Sequence, residues 1–429
     1  PTEVQRLLEE YTDAYLAFYP TYASGMGLHQ YDGQIGDLSA RSIAGRVQAL
    51  EEYEGRLAAL DRSRLSPQEA LDLALVERSR RSEMFEWTEL RDHERNPIVY
   101  NYMLDVTNYI KRNYAPLPDR VRALTLHLEG IPELLRQARA NLNGQRIPKP
   151  FVETSLDVYR GYVSFYEDAL PAALADLRDR PLFDAFLRAN GVAVAAVREF
   201  LEWLEQDTAP RATDDFAIGE RLYRRMLATG ELLDLPLDKL LQIGEEELRR
   251  NMEALRKVVR EIDPAEPPAA VIRQMSQEHP TEQTLIEDTR RMLDDLRAFL
   301  VERNIVTIPT EVRPLVEETP PFARWAFAMM DTAGPFEEVA TESFYYVTPP
   351  EPTWSPEQKE EWLTKFDYYT LKNVSIHEAY PGHYVHFLHL KAAPSRPARI
   401  FTSYSFVEGW AHYTEEMMVE QGIDPSPQF

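Results

Sequence analysis

The stretch SIHEAYPGHYVHFLHL, residues 375–390, carries four of the nine histidines of this 429-residue chain. It opens with the pair His377 and Glu378, and His383 follows six positions after the first histidine. Successive residues of an α-helix are rotated by about 100°, so residues six apart differ by about 240° and lie on different faces. On an uninterrupted helix, His377 and His383 could not bind the same ion.

Pro381 and Gly382 stand between the two histidines and predict that the helix is interrupted there. Proline has no N–H group, and its ring clashes with the carbonyl group four residues earlier, which belongs to His377. Glycine permits backbone conformations that other residues resist. A kink or bulge would absorb the two extra residues, and HEAYPGH then corresponds to the zinc motif H-E-x-x-H with an insertion.

The segment YSFVEGWAHYTEEMMVEQG, residues 404–422, predicts another helix, which ends at Gly422. Its predicted buried stripe consists of Phe406, Trp410, Tyr413 and Met417. A different face carries Glu408, His412 and Glu415 at positions i, i+4 and i+7. A catalytic zinc site needs three protein ligands and one open position, so Glu408 is the expected third ligand. His412 and Glu415 would then orient the ligands by hydrogen bonds.

Two alternatives to this metal site stay open from the residues alone. The polar stripe of the 404–422 helix has the spacing of an ordinary solvated face. A metal could also lie between His383 and His386, which are three residues apart and share a helix face. Because the chain has no cysteine, any metal must be held by histidine and carboxylate groups.

The composition is that of a globular protein, with 44% hydrophobic and 28% charged residues, and no apolar run long enough to insert into a membrane. The net charge of −24 argues against nucleic acid and anionic membranes as partners. The N-terminal segment lacks the basic start and apolar core of a signal peptide, which predicts a cytoplasmic protein. The chain begins at Pro1, so an exported form with a processed signal is the alternative. No pattern indicates an oligomeric state.

Apolar residues recur at helical spacing nearly throughout the chain, which predicts a mainly helical protein. Capping boxes predict helices that begin after Ser66 and Ser355. Further helices are predicted at 4–19, 118–143, 151–176, 192–206, 237–262 and 281–303. Prolines and β-prone runs at 305–350 predict a short antiparallel sheet that includes SFYYV, residues 343–347. Two lobes are predicted, 1–212 and 213–429, with a deep cleft.

Two segments, HEAYPGH with EGWAHYTEE and the N-terminal FYPTYASGMGLHQYDGQIGDLS, resemble a family of bacterial proteins called domain of unknown function 885. That family is grouped with gluzincin-type zinc metallopeptidases. The resemblance implies a helical body with a cleft and a short sheet whose edge binds a peptide. It implies zinc bound by His377, His383 and Glu408, with Glu378 as the general base.

The chain departs from the family's pattern in two places. Tyr384 stands where the family commonly has a second histidine after PGH, which leaves His383 as the matching ligand. Family members also continue well past EGWA, whereas this chain stops at Phe429, so we expect that later helices and the group that stabilises the oxyanion are absent. If that group is instead present, the candidates are Tyr404, His412 and the two tyrosines of SFYYV.

The expected function is zinc-dependent hydrolysis of peptide bonds in short peptides, with water activated by the metal and by Glu378. Tyr345 and Tyr346, in the presumed edge strand, would line the peptide groove through backbone pairing, or else pack across strands. Two alternative functions stay open. One is zinc-dependent hydrolysis of another amide or an ester, and the other is a non-catalytic helical binding scaffold with a structural metal.

Overall fold

A computed structural model describes residues 2–142 and 147–429 of the chain. Within them the fold is mainly helical with one small sheet, as predicted. The helices, in chain order, are α1 Glu3–Phe18, α2 Pro20–Gly25, α3 Ala40–Ala58, α4 Pro67–Phe85, α5 Thr107–Lys111, α6 Leu117–Asn141, α7 Lys149–Ser164, α8 Leu170–Ala173, α9 Arg180–Trp203, α10 Gly219–Gly230, α11 Leu237–Ile262, α12 Pro268–Met275, α13 Leu285–Arg303, α14 Pro356–Leu363, α15 Tyr368–Glu378, α16 His383–Leu390, α17 Arg396–Ile400 and α18 Tyr404–Glu420.

Both predicted capping boxes are present at the starts of α4 and α14. Ser66 accepts a hydrogen bond from the backbone of Glu69, and Ser355 accepts one from the backbone of Gln358. The helix predicted at 192–206 begins earlier, at Arg180, because Asp179 accepts a hydrogen bond from the Leu182 N–H and caps it. The predicted end of the 118–143 helix, residue 143, lies outside the described residues.

The sheet has three strands, β1 Leu315–Glu318, β2 Ala328–Asp331 and β3 Phe344–Val347, in the order β1-β3-β2. The prediction of an antiparallel sheet is corrected here, because β1 pairs with β3 in parallel and β2 pairs with β3 antiparallel. All four residues of β3 are buried, as expected for a central strand that is covered on both faces. Phe344–Val347 is therefore not the edge strand that the sequence suggested.

This topology also corrects the role expected for Tyr345 and Tyr346. Both sides of β3 are already paired, so these residues cannot bind a peptide through backbone pairing. Their side chains are 0% and 3% exposed, and the Tyr345 hydroxyl lies 3.3 Å from Ser375 Oγ in α15. The alternative that the sequence left open, a packing role, agrees with their burial.

Three hydrophobic clusters form the core. One joins α6, α7 and α9, and takes in Phe322 and Ala323 from the loop that follows β1. A second joins α13, the sheet, α15 and α16. A third joins α1, α3 and α4 with Ile400 and Phe401. The first and third clusters thus take residues from both predicted lobes, and the division near residue 212 stays a prediction.

Helix α18 presents a different face to the core from the one predicted. Phe406 and Tyr413 are 60% and 53% exposed, whereas Ala411, Thr414 and Met418 are buried. The helix packs against α15 and α16. The small side chains of Ala411 and Thr414 let α18 approach these helices closely. The buried face is therefore the one that carries these small residues, next to the predicted face.

The predicted interruption between the two histidines is a complete break. Helix α15 ends at Glu378 and α16 begins at His383, and the Tyr380–Pro381 peptide bond between them is cis. The Gly382 N–H donates to the Ile376 carbonyl at 2.9 Å. A Cβ atom on Gly382 would lie 1.6 Å from the His377 carbonyl oxygen, so no other residue fits this turn.

No helix in the described part of the chain is both long enough and apolar enough to span a membrane.

Helix α11, which was predicted at 237–262, has the predicted bounds. It exposes several large apolar side chains, among them Leu241 and Leu248.

We predict that Gly382→Ala destabilises the protein by about 3 kcal/mol or more, because the new methyl group overlaps a backbone carbonyl that cannot move freely. The measurement is the free energy of unfolding in denaturant. The matched control is Gly244→Ala in exposed α11, where a Cβ meets no atom within 4 Å. That variant should gain about 0.5–1 kcal/mol. Equal stabilities of the two variants would contradict the packing argument.

Candidate metal centre

Three helix segments bring the three predicted zinc ligands together. His377 lies in the last turn of α15, His383 is the first residue of α16, and Glu408 lies in α18. Nε2 of His377 and Nε2 of His383 each lie 3.6 Å from Glu408 Oε2. One ligand atom from each of the three residues lies within 4.8 Å of the others.

The spacing of these atoms suits a tetrahedral zinc site. Zinc binds imidazole nitrogen and carboxylate oxygen at about 2.0–2.2 Å, so neighbouring ligand atoms of a tetrahedron lie about 3.4 Å apart. The two distances of 3.6 Å are close to this value. Two histidines and one glutamate also form a donor set used by catalytic zinc sites. The three residues therefore fit the donor set of a zinc ion, with the remaining pair of ligand atoms, on the two histidines, within 4.8 Å of each other.

Solvent reaches the cluster from one side. The His383 side chain is 11% exposed and that of His377 is 25% exposed, whereas the Glu408 side chain is 50% exposed. The histidines thus form the floor, and Glu408 lies at the open rim. An arrangement of this kind leaves room for water or substrate at a fourth position, which a closed structural site does not have.

Glu415 holds His377 from behind. Its Oε1 lies 2.7 Å from His377 Nδ1, and its Oε2 accepts a hydrogen bond from Asn373 Nδ2 at 2.8 Å. This contact directs the other ring nitrogen, Nε2, toward Glu408. His412 is different, because its side chain is 83% exposed and its Nδ1 lies 3.4 Å from the same oxygen. Of the two predicted orienting residues, only Glu415 contacts a predicted ligand directly.

The two histidines have opposite pKa shifts. The hydrogen bond with Glu415 raises the pKa of His377, and nearby carboxylates add to the effect. Burial lowers the pKa of His383 to about 4, and the charges of His377 and His386 act in the same direction. His383 is therefore neutral at physiological pH, which is the form that binds a metal.

Glu378 lies beside the cluster in a buried position, with 9% of the residue exposed. Burial raises the pKa of its carboxyl to about 7, although the charge of His377 and a backbone contact with Met330 oppose the change. Met330 belongs to β2, so Glu378 lies between the histidines and the edge of the sheet. A carboxyl group with a pKa near neutrality can both accept and donate a proton.

The remaining candidates lie apart from the ligand cluster. The His386 ring is stacked on Phe387 and meets Phe406 edge-on, with ring centroids 5.1 Å apart in both cases. His386 is not a member of the close group formed by His377, His383 and Glu408. Of the four candidate oxyanion donors, Tyr345 and Tyr346 are buried, while Tyr404 and His412 are exposed on α18.

The sequence did not indicate two residues that shape this site. Trp410 Nε1 donates to the Pro381 carbonyl at 3.0 Å, which ties α18 to the turn between the histidines. Asn373 lies one turn before His377 on α15 and fixes Glu415. The four-residue spacing of Asn373 and His377 is a signal that could have been used. The contact of Trp410 joins distant parts of the chain and leaves no local pattern.

A cavity of about 360 Å³ lies next to the ligand cluster. Its wall includes Met330 and Asp331 of β2, Phe387 of α16, and Gly25 and Met26 at the end of α2. Phe387 is one helical turn from His383, and Met330 is the residue that contacts Glu378. The candidate ligands do not themselves line the cavity, which runs from Phe387 and the end of β2 toward the N-terminal helices.

Comparison with known proteins adds two solved structures and a family. A putative lipoprotein of unknown function from Shewanella oneidensis matches with a TM-score of 0.73 and 24% identity, over 100% of this chain and 80% of that one. A putative lipoprotein from Colwellia psychrerythraea matches with a TM-score of 0.75 and 12% identity, over 99% and 79%. At these identities the likeness shows the fold alone.

No curated protein matches the chain. Residues 20–428 match the model of one family, and the match includes the N-terminal segment from its third residue onward and the two segments that carry the candidate metal ligands. The match covers nearly the whole chain. The chain therefore belongs to the family described as "Bacterial protein of unknown function (DUF885)".

Proposed function

We propose that this protein is a zinc-dependent peptidase of the gluzincin type that hydrolyses short peptides. The observation that carries the proposal is the convergence of His377, His383 and Glu408 at zinc-ligand spacing, with the buried carboxyl of Glu378 beside them. A site with only a structural role has no need of a carboxyl group held near neutral pKa. The rim at Glu408 also leaves the cluster open to a substrate.

His377, His383 and Glu408 would hold the zinc ion, which would supply Lewis acidity for water and for the substrate carbonyl group. Glu378 performs the proton transfers. Its carboxylate takes a proton from the attacking water, and the resulting acid gives that proton to the departing amine. Burial suits Glu378 to this role, because it disfavours the charged carboxylate and so favours the uptake of a proton.

The edge of β2 suits a peptide substrate. Thr348 N–H donates to the Phe327 carbonyl at 3.1 Å, so the alternation of an antiparallel ladder turns the backbone groups of Ala328 and Met330 away from β3. Among the described residues, β2 pairs with no strand on that side. An extended peptide could add there as a further strand, with Glu378 next to it.

The location of this edge inside the protein limits the substrate. The edge opens into the cavity of about 360 Å³ that α2 and α16 also line. Folded proteins cannot present an extended strand in such a space, so we expect short, flexible peptides to be cleaved.

For the cellular location, the names of the two similar structures favour an exported protein over the cytoplasmic location that the sequence predicted.

We predict that His383→Ala abolishes stoichiometric zinc binding, because it removes a buried, neutral imidazole from a three-residue ligand set. Elemental analysis of the purified protein measures the effect. The matched control is His386→Ala, which should retain about one zinc ion per chain. If His386→Ala lost the metal and His383→Ala kept it, the ion would lie between His383 and His386 instead.

We predict that Glu415→Ala weakens zinc binding about 10–100-fold, because His377 loses the hydrogen bond that fixes its ring. Competition with a chelator of known affinity gives the dissociation constant. His412→Ala serves as the control and should change the affinity little, since its side chain is 83% exposed. Similar losses in both variants would show that His412 has the larger role that the sequence suggested.

We predict that Glu378→Gln keeps its zinc and its fold but hydrolyses peptides about 10²–10⁴-fold more slowly, as expected on loss of a general base. Turnover of a mixed pool of short peptides, measured with and without chelator, tests this. Glu361→Gln, an exposed change on α14, should leave turnover unaltered. Unchanged turnover in Glu378→Gln would rule out the proposed mechanism.

A further inference from the structure

A second cavity, of about 190 Å³, lies where β2 ends. It shares Gly25 and Asp331 with the cavity beside the metal ligands, so the two are neighbours along the same wall. The second cavity is lined mainly by polar side chains from the N-terminal helices, including Asp105, Asn108 and Arg112. None of these residues has a part in the proposed zinc site.

The ionisable groups of this cavity leave an excess of negative charge. Asp331 is paired with Arg112, whose guanidinium lies 2.6 Å from its Oδ1. Asp105 accepts hydrogen bonds from the backbone and hydroxyl of Thr107, but it has no cation of its own among the lining residues. His127 is neutral, because burial lowers its pKa to about 4. Among the lining residues, two carboxylates therefore face one guanidinium.

Two donors at this place have no partner within the described residues. The hydroxyl of Tyr346 is buried and unpaired, in a residue that is only 3% exposed, and it lies close enough to Asp331 and Asp105 to feel their charges. Nδ2 of Asn108, in the cavity wall, is likewise buried and unpaired. Buried donors without partners are costly, which indicates that a ligand with an acceptor atom belongs here.

The ligand that fits combines a cation with a nearby acceptor. A metal ion would satisfy Asp105 but not the two unpaired donors. The amino end of a peptide fits better, since its ammonium group matches the excess carboxylate and its first carbonyl group can accept from Asn108, the unpaired donor in the cavity wall. The negative surroundings also disfavour the carboxylate end of a peptide.

The direction of β2 agrees with this assignment. The strand runs from Ala328 to Asp331, and Met330 lies at Glu378. A peptide that pairs antiparallel with the free edge of β2 has its amino end at the Asp331 end. A residue of a strand spans about 3.3 Å, so roughly one or two residues separate that amino end from the bond next to Glu378.

We propose that the cavity formed by Asp105, Asn108, Arg112 and Asp331 binds the free α-ammonium group of the substrate. The protein then removes short units from the amino end of a peptide. This proposal rests on the proposed peptidase function for its consequence in cleavage, but the binding of the ammonium group can be tested without any hydrolysis.

The test measures binding of short peptides to the zinc-loaded full chain that carries Glu378→Gln, by titration calorimetry. Trialanine with a free amino end should bind at least tenfold more tightly than Nα-acetyl-trialanine. Amidation of the carboxyl end should change the affinity less than acetylation does. Equal affinities for free and acetylated trialanine overturn the proposal, whether or not the unmodified protein hydrolyses peptides.

A second variant adds Asp105→Asn to the same chain and tests the role of Asp105 in binding the ammonium group. The asparagine keeps an oxygen that can accept from the Thr107 N–H, so this hydrogen bond is retained, while the negative charge is lost. The preference for free over acetylated trialanine should fall to less than about threefold. The control Asp184→Asn removes a charge from the exposed side of α9 and should keep the preference. A preference unchanged by Asp105→Asn overturns the assignment.

A lysine side chain carries the same ammonium chemistry, and one further peptide separates the two sources. Nα-acetyl-Lys-Ala-Ala has a side-chain ammonium group but a blocked amino end. It should bind as weakly as acetylated trialanine, and binding as tight as that of free trialanine would assign the cavity to a side chain instead.

With the unmodified protein, mass spectrometry should show products shortened from the amino end. If no peptide is cleaved but free trialanine still binds selectively, only the peptidase function fails.

Discussion

The Gly382 N–H group donates to the Ile376 carbonyl in a space that no side chain could share. This contact folds the chain back at the end of α15. The first turn of α16 therefore lies beside the last turn of α15. His377 and His383, which would face apart on one continuous helix, become neighbours with ring centroids 4.9 Å apart. The indole of Trp410 then binds the Pro381 carbonyl and brings α18, with Glu408, to the same turn. The backbone contact thus brings the two histidines together, and the Trp410 contact adds Glu408.

The N-terminal segment takes part in the site through a second close approach of backbones. A Cβ on Gly27 would lie 2.4 Å from the Glu337 nitrogen, and one on Gly334 would lie 2.3 Å from the Met26 carbonyl carbon. Gly27 also has a φ of +89°, which other residues rarely adopt. His29 adds a contact of 2.8 Å to Glu337. The loop after β2 is therefore held against the first helices, and Gly25 and Gly334 from these two segments line the same cavity.

The sequence predicted those features that depend on neighbours in the chain. The capping boxes at Ser66 and Ser355, the bounds of α11 and the break at Pro381–Gly382 are all set by local stereochemistry, and all are present. The edge position predicted for SFYYV and the all-antiparallel pairing were wrong, because partners distant in the chain decide which strand is central. The prediction of which face of α18 is buried was also wrong, because it gave large aromatic residues more weight than small ones. Packing against α15 and α16 favours the small residues.

Within the candidate site, the local pattern pointed to three residues that the fold brings close together, but not to their surroundings. HEAYPGH and EGWAHYTEE mark these residues in two short segments, and the packing of α18 against α15 and α16 brings the segments together. Asp105 and Asn108, by contrast, lie in a stretch that carries no motif, and only the tertiary fold brings them to the end of β2.

Two glutamates of the site show how the surroundings assign different tasks to one residue type. Burial alone would raise the pKa of Glu415, but hydrogen bonds from His377 and Asn373 outweigh it and lower the pKa. Glu415 therefore stays ionised and can hold an imidazole ring in one orientation. Glu378 receives little compensation for its burial, and its pKa rises to about 7. A carboxylate that is fully satisfied suits positioning, whereas one that is poorly solvated gains a proton readily. The difference lies in the number of donors each meets, and it makes Glu378 the group of this site that is suited to transfer protons.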